Sequence, residues 1–160
     1  MITYNISPDT YIAPDQPEPS DGVYSAPEVG HRFRKSPQGF YKEALTYLID
    51  VRCAIRHKMK LLSPQSVAFH VLDARQKAVK IVTNAAYGYA GWVGARWYIK
   101  PVAEAASAWG RHIILATTRM AEKAELEVVY GDTDSLFIKY DQAAAKQLQE
   151  DIERELKLEV

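Results

Sequence analysis

Cysteine is almost missing from this 160-residue chain: Cys53 stands alone, so no internal disulfide can hold the fold together. A lone thiol fits a reducing, cytoplasmic setting. An excess of charge of one sign is also lacking, because twenty Lys and Arg balance twenty Asp and Glu. Net charge therefore marks no polyanion binder, and any grip on phosphates must come from local clustering. No apolar run approaches the roughly 20 residues that span a bilayer, and the N-terminus lacks the basic-then-apolar order of a signal peptide. No membrane association is expected. The four histidines, His31, His57, His70 and His112, show no metal-ligand spacing, and only one of them lies near Cys53, which argues against a zinc site. What remains is the composition of one ordinary globular domain, 48% hydrophobic and 25% charged, with enough apolar residues for a modest core.

Six of the eight prolines fall at or before Pro37, alongside Gly22 and Gly30, and this predicts mostly extended loop over residues 1–38. From Gly39 to Lys60 the pattern changes, with Phe40, Ala44, Leu48, Ile55 and Met59 at helical spacing. Ser63-Pro64 breaks that helix. A second helical stretch from about Gln65 to Ala86 carries Phe69, Leu72, Val79 and Val82, and two helices joined by a tight turn make a hairpin over 39–88. Pro101 opens a third helix, whose stripe of Val102, Ala106, Trp109, Ile113, Ala116 and Met120 runs towards Ala124. Leu126–Tyr130 and Leu136–Tyr140 then read as two short strands around the polar turn Gly131-Asp132-Thr133-Asp134. Helical spacing returns from Gln142 with Leu148, Ile152 and Leu156. The fold class expected is α+β: a helical hairpin, then a segment over 89–141 with one long helix behind a β-hairpin, then a terminal helix over 142–160.

Asp132 and Asp134 are two residues apart, so an extended backbone would project both carboxylates from one face of an otherwise apolar hairpin. Paired hard oxygens of this kind suit Mg²⁺. A polar turn alone would account for the same residues, and an Asp-x-Asp sugar-nucleotide transferase would also place two carboxylates after an apolar strand. An EF-hand is set aside, because Leu136 and Phe137 stand where that loop needs an oxygen donor and a glycine.

Arg52 and Arg56 share a face of the first helix, and Lys80 and Asn84 share a face of the second, with Tyr87 three residues on and Arg75 and Lys77 just before. Antiparallel packing would turn both basic rows into one groove. Cations there would neutralise a triphosphate, while Tyr87 and the bare backbone of Gly88 would let a base pair lie close to the helix. A solvated charged face on an amphipathic hairpin is, from these residues alone, the simpler explanation of the charges. Trp92, Trp97, Tyr98 and Trp109 are read as packing residues.

The order and wording of these blocks are more specific than any one of them. Lys80-Ile-Val-Thr-Asn84-Ala-Ala-Tyr87-Gly88 resembles motif B of the family B DNA polymerases, and Tyr130-Gly-Asp-Thr-Asp134-Ser135 is similar to their motif C. Asn5-Ile-Ser-Pro-Asp9-Thr resembles the segment just after motif A, and Gly39-Phe40 with Arg52-x-x-x-Arg56 resembles the first fingers helix. Gly94-Ala-Arg96-Trp97-Tyr98 and Ala108-Trp109-Gly110-Arg111 resemble archaeal members. Nearly the whole chain is covered.

The resemblance implies that Arg52, Arg56, Lys80 and Asn84 bind the incoming deoxynucleoside triphosphate, the dNTP, and that Tyr87 and Gly88 shape the pocket for the nascent base pair. It implies that Asp134 is the principal Mg²⁺ ligand and Asp132 its auxiliary, both catalytic, in a two-metal phosphoryl transfer on primer-template DNA. Two departures stand out. Ala85 replaces the usual serine of motif B, and motif A, the exonuclease domain and the thumb are absent from these 160 residues. Some archaeal members are encoded as two polypeptides divided between motifs A and B, so the chain is expected to be the smaller piece or a truncation, partnered by a larger polypeptide carrying motif A and the exonuclease domain, and inactive alone. A non-catalytic assembly or DNA-binding module derived from such a polymerase is the alternative, and the joint presence of Lys80, Asn84 and Asp134 argues against it.

Overall fold

The computed structural model describes residues 1–132, 135–139 and 141–156. These divide into two units, one made of residues 1–25 and 31–104, the other of residues 26–30 and those from 105 onward. Helices and small antiparallel sheets alternate along the chain, which makes the fold α+β.

The proline-rich start of the first unit is mostly turn and loop, as predicted, with three short strands set into it. Strands β1 (Tyr11–Ile12), β2 (Val23–Ser25) and β3 (Arg32–Arg34) pair antiparallel in the order β1-β3-β2, with Phe33 opposite both Tyr11 and Tyr24. Ile12 of β1 and Phe33 of β3 are buried, as is Ile6 ahead of the strands. Strands of two and three residues are too short to show a period-2 pattern, which is why composition predicted loop here.

The same segment anchors the first long helix. Helix α1 (Phe40–Met59) begins at Gly39, which has no side chain with which to cap it. Three residues from the Asn5-to-Thr10 stretch supply the caps instead. Asn5 Oδ1 accepts from the Gly39 N–H at 2.8 Å, the Asp9 carboxylate from Phe40 N–H at 3.2 Å, and Ser7 Oγ from Tyr41 N–H at 3.3 Å. Amides that a helix leaves unpaired at its start are thereby satisfied, and the Asp9 charge faces the positive end of the helix dipole. A Cβ on Gly39 would lie 2.6 Å from Ser7 Cβ and 2.8 Å from Thr10 Cγ2, so the close approach requires glycine.

After the Ser63-Pro64 break, Ser66 caps helix α2 (Val67–Gly91) by accepting from Phe69 N–H at 3.1 Å. This helix runs five residues beyond the predicted end near Ala86. Ala85, Ala86 and Ala90 are strong helix formers and carry it through Gly88. Helices α1 and α2 fold back on one another as the expected hairpin. Where α1 begins and α2 ends, Phe40, Tyr41, Tyr89 and Trp97 cluster, with Trp97 5.3 Å from Phe40 and 6.3 Å from Tyr89 between ring centres. Trp97 thus packs, while Trp92 is 62% exposed and does so only in part.

Helix α3 (Lys100–Lys123) has its first turn in this unit, where Glu104 meets His31 Nε2 at 2.8 Å and Lys100 Nζ at 3.0 Å. Its remainder belongs to the second unit. There Ala121, Leu126, Leu148 and Ile152 form a buried core, joined by Val128, Leu136 and Ile138 of the hairpin β4 (Val128–Asp132) and β5 (Ser135–Ile138) and by Ala144 and Leu156 of helix α4 (Gln142–Leu156). A hairpin backed by helix is what the sequence predicted. Glu125, at φ 57°, turns the chain out of α3 towards β4.

Candidate functional site

In the first unit, the helical hairpin opens a cleft of about 60 Å³ lined by Ile49, Arg52, Cys53 and Arg56 of α1 and by Lys80, Thr83 and Asn84 of α2. That is room for several water-sized guests. Residues four apart on each helix share a face, and packing one helix on the other turns both faces inward. All four residues expected to bind the triphosphate therefore line one cleft, and three of them are cations. Like charges held this close repel one another, which makes the cleft a ready receiver of an anion.

Arg75 and Lys77 do not join the lining. Lys77 Nζ instead lies 2.6 Å from Asp73 Oδ2, and this hydrogen bond, followed by one from Gln76, holds the Asp73 carboxyl below the usual range. Tyr87 and Gly88 sit on the next turn of α2, outside the cleft lining, with Tyr87 about half exposed. A Cβ built at Gly88 would meet nothing within 4 Å, so no packing among the described residues demands glycine there. Ile49, Cys53 and Thr83 were missed from sequence. Helical spacing from Arg52, Arg56 and Lys80 was the available signal, but neutral side chains drew no attention to it.

In the second unit, Asp132 ends β4 opposite Ser135. Its direction is set by an irregularity in the ladder. Val128 pairs with Ile138 and Tyr130 with Phe137, leaving Val129 as an extra residue. Without that bulge, strict alternation would put Asp132 on the same face as Val128, towards the core. With it, Gly131 opposes the inward Leu136, while Tyr130 and Asp132 share the exposed face with Phe137, whose ring lies 5.9 Å from that of Tyr130. Asp134 lies outside the described residues.

A carboxylate on an exposed strand end is a hard oxygen donor of the kind Mg²⁺ takes. No group of three or more His, Cys, Asp and Glu able to hold a metal occurs among the described residues, so the hairpin offers one described carboxylate towards a shell that needs further oxygens. No helix among the described residues is long and apolar enough to cross a membrane.

The helical hairpin thus carries a cationic cleft, and the helix-backed β-hairpin carries an outward carboxylate. The family described as DNA polymerase family B matches residues 1–160, and the chain belongs to that family. It is 48% identical over its full length to DNA polymerase 2 of Aeropyrum pernix and 47% identical over 154 residues, 96% of the chain, to the DNA polymerase of Archaeoglobus fulgidus. The solved family B DNA polymerase of Pyrobaculum calidifontis superposes with a TM-score of 0.80 at 48% identity, covering 99% of this chain and 21% of that one. The chain spans 20% and 18% of the two curated relatives.

Proposed function

We propose that this chain supplies the incoming-nucleotide site and the motif C carboxylates of a DNA-directed DNA polymerase, working on primer-template DNA with a larger polypeptide that carries motif A and the exonuclease domain. The observation that carries the proposal is the convergence of Arg52, Arg56, Lys80 and Asn84 on one cleft, inside a chain of this family. Arg52 and Arg56 offer planar forks suited to phosphate oxygens, Lys80 offers a compact charge, and the Asn84 amide can donate between them. Tyr87 and Gly88, one turn on, present an aromatic ring and bare backbone to the nascent base pair.

The primer 3′-hydroxyl attacks the α-phosphate of the dNTP and pyrophosphate leaves. The cleft cations offset the negative charge that grows on that leaving group, and fixed charges serve better than water because they need no reorganisation. Asp134 and Asp132 are the residues that would hold Mg²⁺, which when bound neutralises charge on the attacking and leaving oxygens. Carboxylates are needed on both sides of such a pair of ions, and motif C provides one side only. The missing side is assigned to motif A on the partner.

Cys53 provides a direct test, because it is the chain's one cysteine, is exposed, and lines the cleft. In the polymerase assembled with its motif A polypeptide, alkylation of Cys53 by N-ethylmaleimide, followed by peptide mass spectrometry, should slow several-fold with saturating dNTP and Mg²⁺ and remain unchanged with the nucleoside. Equal rates with and without dNTP would remove the triphosphate from this cleft.

A further inference from the structure

Arg52 does not stand alone in the cleft. Its Nε donates to Gln76 Oε1 at 3.2 Å across the helix pair, Gln76 Nε2 donates to Asp73 Oδ1 at 3.0 Å, and Asp73 Oδ2 holds Lys77 Nζ at 2.6 Å. The two ends of the relay dictate the direction of the amide between them. A guanidinium only donates and a carboxylate only accepts, so the Gln76 oxygen must face Arg52 and its NH₂ must face Asp73. Turning the amide over would set donors against donors at one end and acceptors against acceptors at the other.

We infer that Gln76 is a positioning residue for Arg52, holding its guanidinium by the inner nitrogen so that the outer edge is presented to the triphosphate. The inference rests on the proposed nucleotide site. Gln76 lies outside the cleft lining, so its influence passes through Arg52. The contact uses Nε and leaves Nη1 and Nη2, the pair that forms bidentate contacts with phosphate oxygens, on the opposite edge. An arginine fixed in advance loses less side-chain freedom when the ligand arrives than one that must be ordered on binding. Lys77 and Asp73 complete the device. Held ionised by Lys77, Asp73 keeps the amide from rotating, and its charge is matched one turn away rather than drawn from Arg52.

The test is a double-substitution cycle in the polymerase assembled with its motif A polypeptide, reading KM for dNTP, kcat, primer-template Kd and melting temperature. Gln76→Leu should raise KM about fivefold, with kcat and DNA affinity within about twofold, as lost preorganisation of one contact requires. In an Arg52→Ala background the same change should add less than about twofold, since the residue it acts through is gone. Gln76→Glu covers the case in which leucine lowers the melting temperature; it should also raise KM, because an added carboxylate competes with phosphate for Arg52. A Gln76→Leu effect of full size in the Arg52→Ala background would overturn the inference, as would an unchanged KM for both Gln76 variants where Arg52→Ala raises it. An unchanged KM for Arg52→Ala would refute the nucleotide site itself, and the inference with it.

Discussion

Lys80→Ala isolates the charge that the cleft contributes from α2. Lys80 shares the lining with Arg52 and Arg56, and its side chain is open to solvent on the outer side. A unit charge about 4 Å from a phosphate oxygen is worth about 4 kcal/mol at the effective dielectric of a protein surface. Water on the open side and the two remaining arginines both reduce what is lost. A net cost of about 2 kcal/mol follows, within the range of charge-assisted hydrogen bonds. That corresponds to a fall of about 30-fold in kcat/KM for dNTP, since each 1.4 kcal/mol is about tenfold. Affinity for primer-template should change by less than about twofold, because a salt-screened DNA backbone contact is not what Lys80 makes in this account. Steady-state extension with varied dNTP, beside a DNA titration at fixed salt, separates the two. An unchanged kcat/KM would mean that Lys80 belongs to a solvated face, and a parallel loss of DNA binding would mean that the cleft tracks nucleic acid rather than a triphosphate.

Asp134→Asn should abolish extension while Asp132→Asn leaves a measurable fraction, since in the proposed site the first removes the principal metal ligand and the second its auxiliary; equal rates across a Mg²⁺ titration would refute that ranking. Asn5→Ala removes side-chain hydrogen bonds to Gly39 N–H and to the carbonyls of Arg34 and Pro37, and leaves alanine at φ 49°, a conformation that asparagine tolerates better. The cost should be about 3 kcal/mol, or roughly 10 °C in Tm, read by thermal unfolding. Glu104 is held below the usual glutamate range, first by the hydrogen bond from His31 and then by that from Lys100. A depressed carboxylate contributes stability that is complete above its ordinary pKa and is lost as pH falls through the folded value, so wild type should weaken below about pH 4.5 and Glu104→Gln should show a flatter acid limb in denaturant titrations.

The helices were legible because their signal is local. Phe40 to Met59 and Lys100 to Lys123 carry apolar stripes at 3.6 spacing that survive without tertiary context. Arg52, Arg56, Lys80 and Asn84 could be placed on two faces for the same reason. What escaped depends on partners far along the chain. The capping of α1 by Asn5, Ser7 and Asp9 spans more than thirty positions, and Ser7 and Asp9 read as ordinary turn formers. The Val129 bulge leaves no mark in an apolar strand, although it decides which way Asp132 points. Gln76 was lost among charged neighbours, since neutral amides carry no periodic signature. Strand boundaries moved as well, because β4 extends through Asp132 where a turn was predicted.

Primer extension by the purified chain, with and without the polypeptide that carries motif A, decides between a divided catalytic site and a complete one. A two-ion phosphoryl transfer needs carboxylates from both sides, and only those of motif C belong to these 160 residues. The chain alone should extend no primer, and adding the partner should restore extension that an Asp134→Asn version of this chain does not support. Robust extension by the isolated chain, abolished by Asp134→Asn and so free of contaminating polymerase, would contradict the account and require another source for the missing carboxylate.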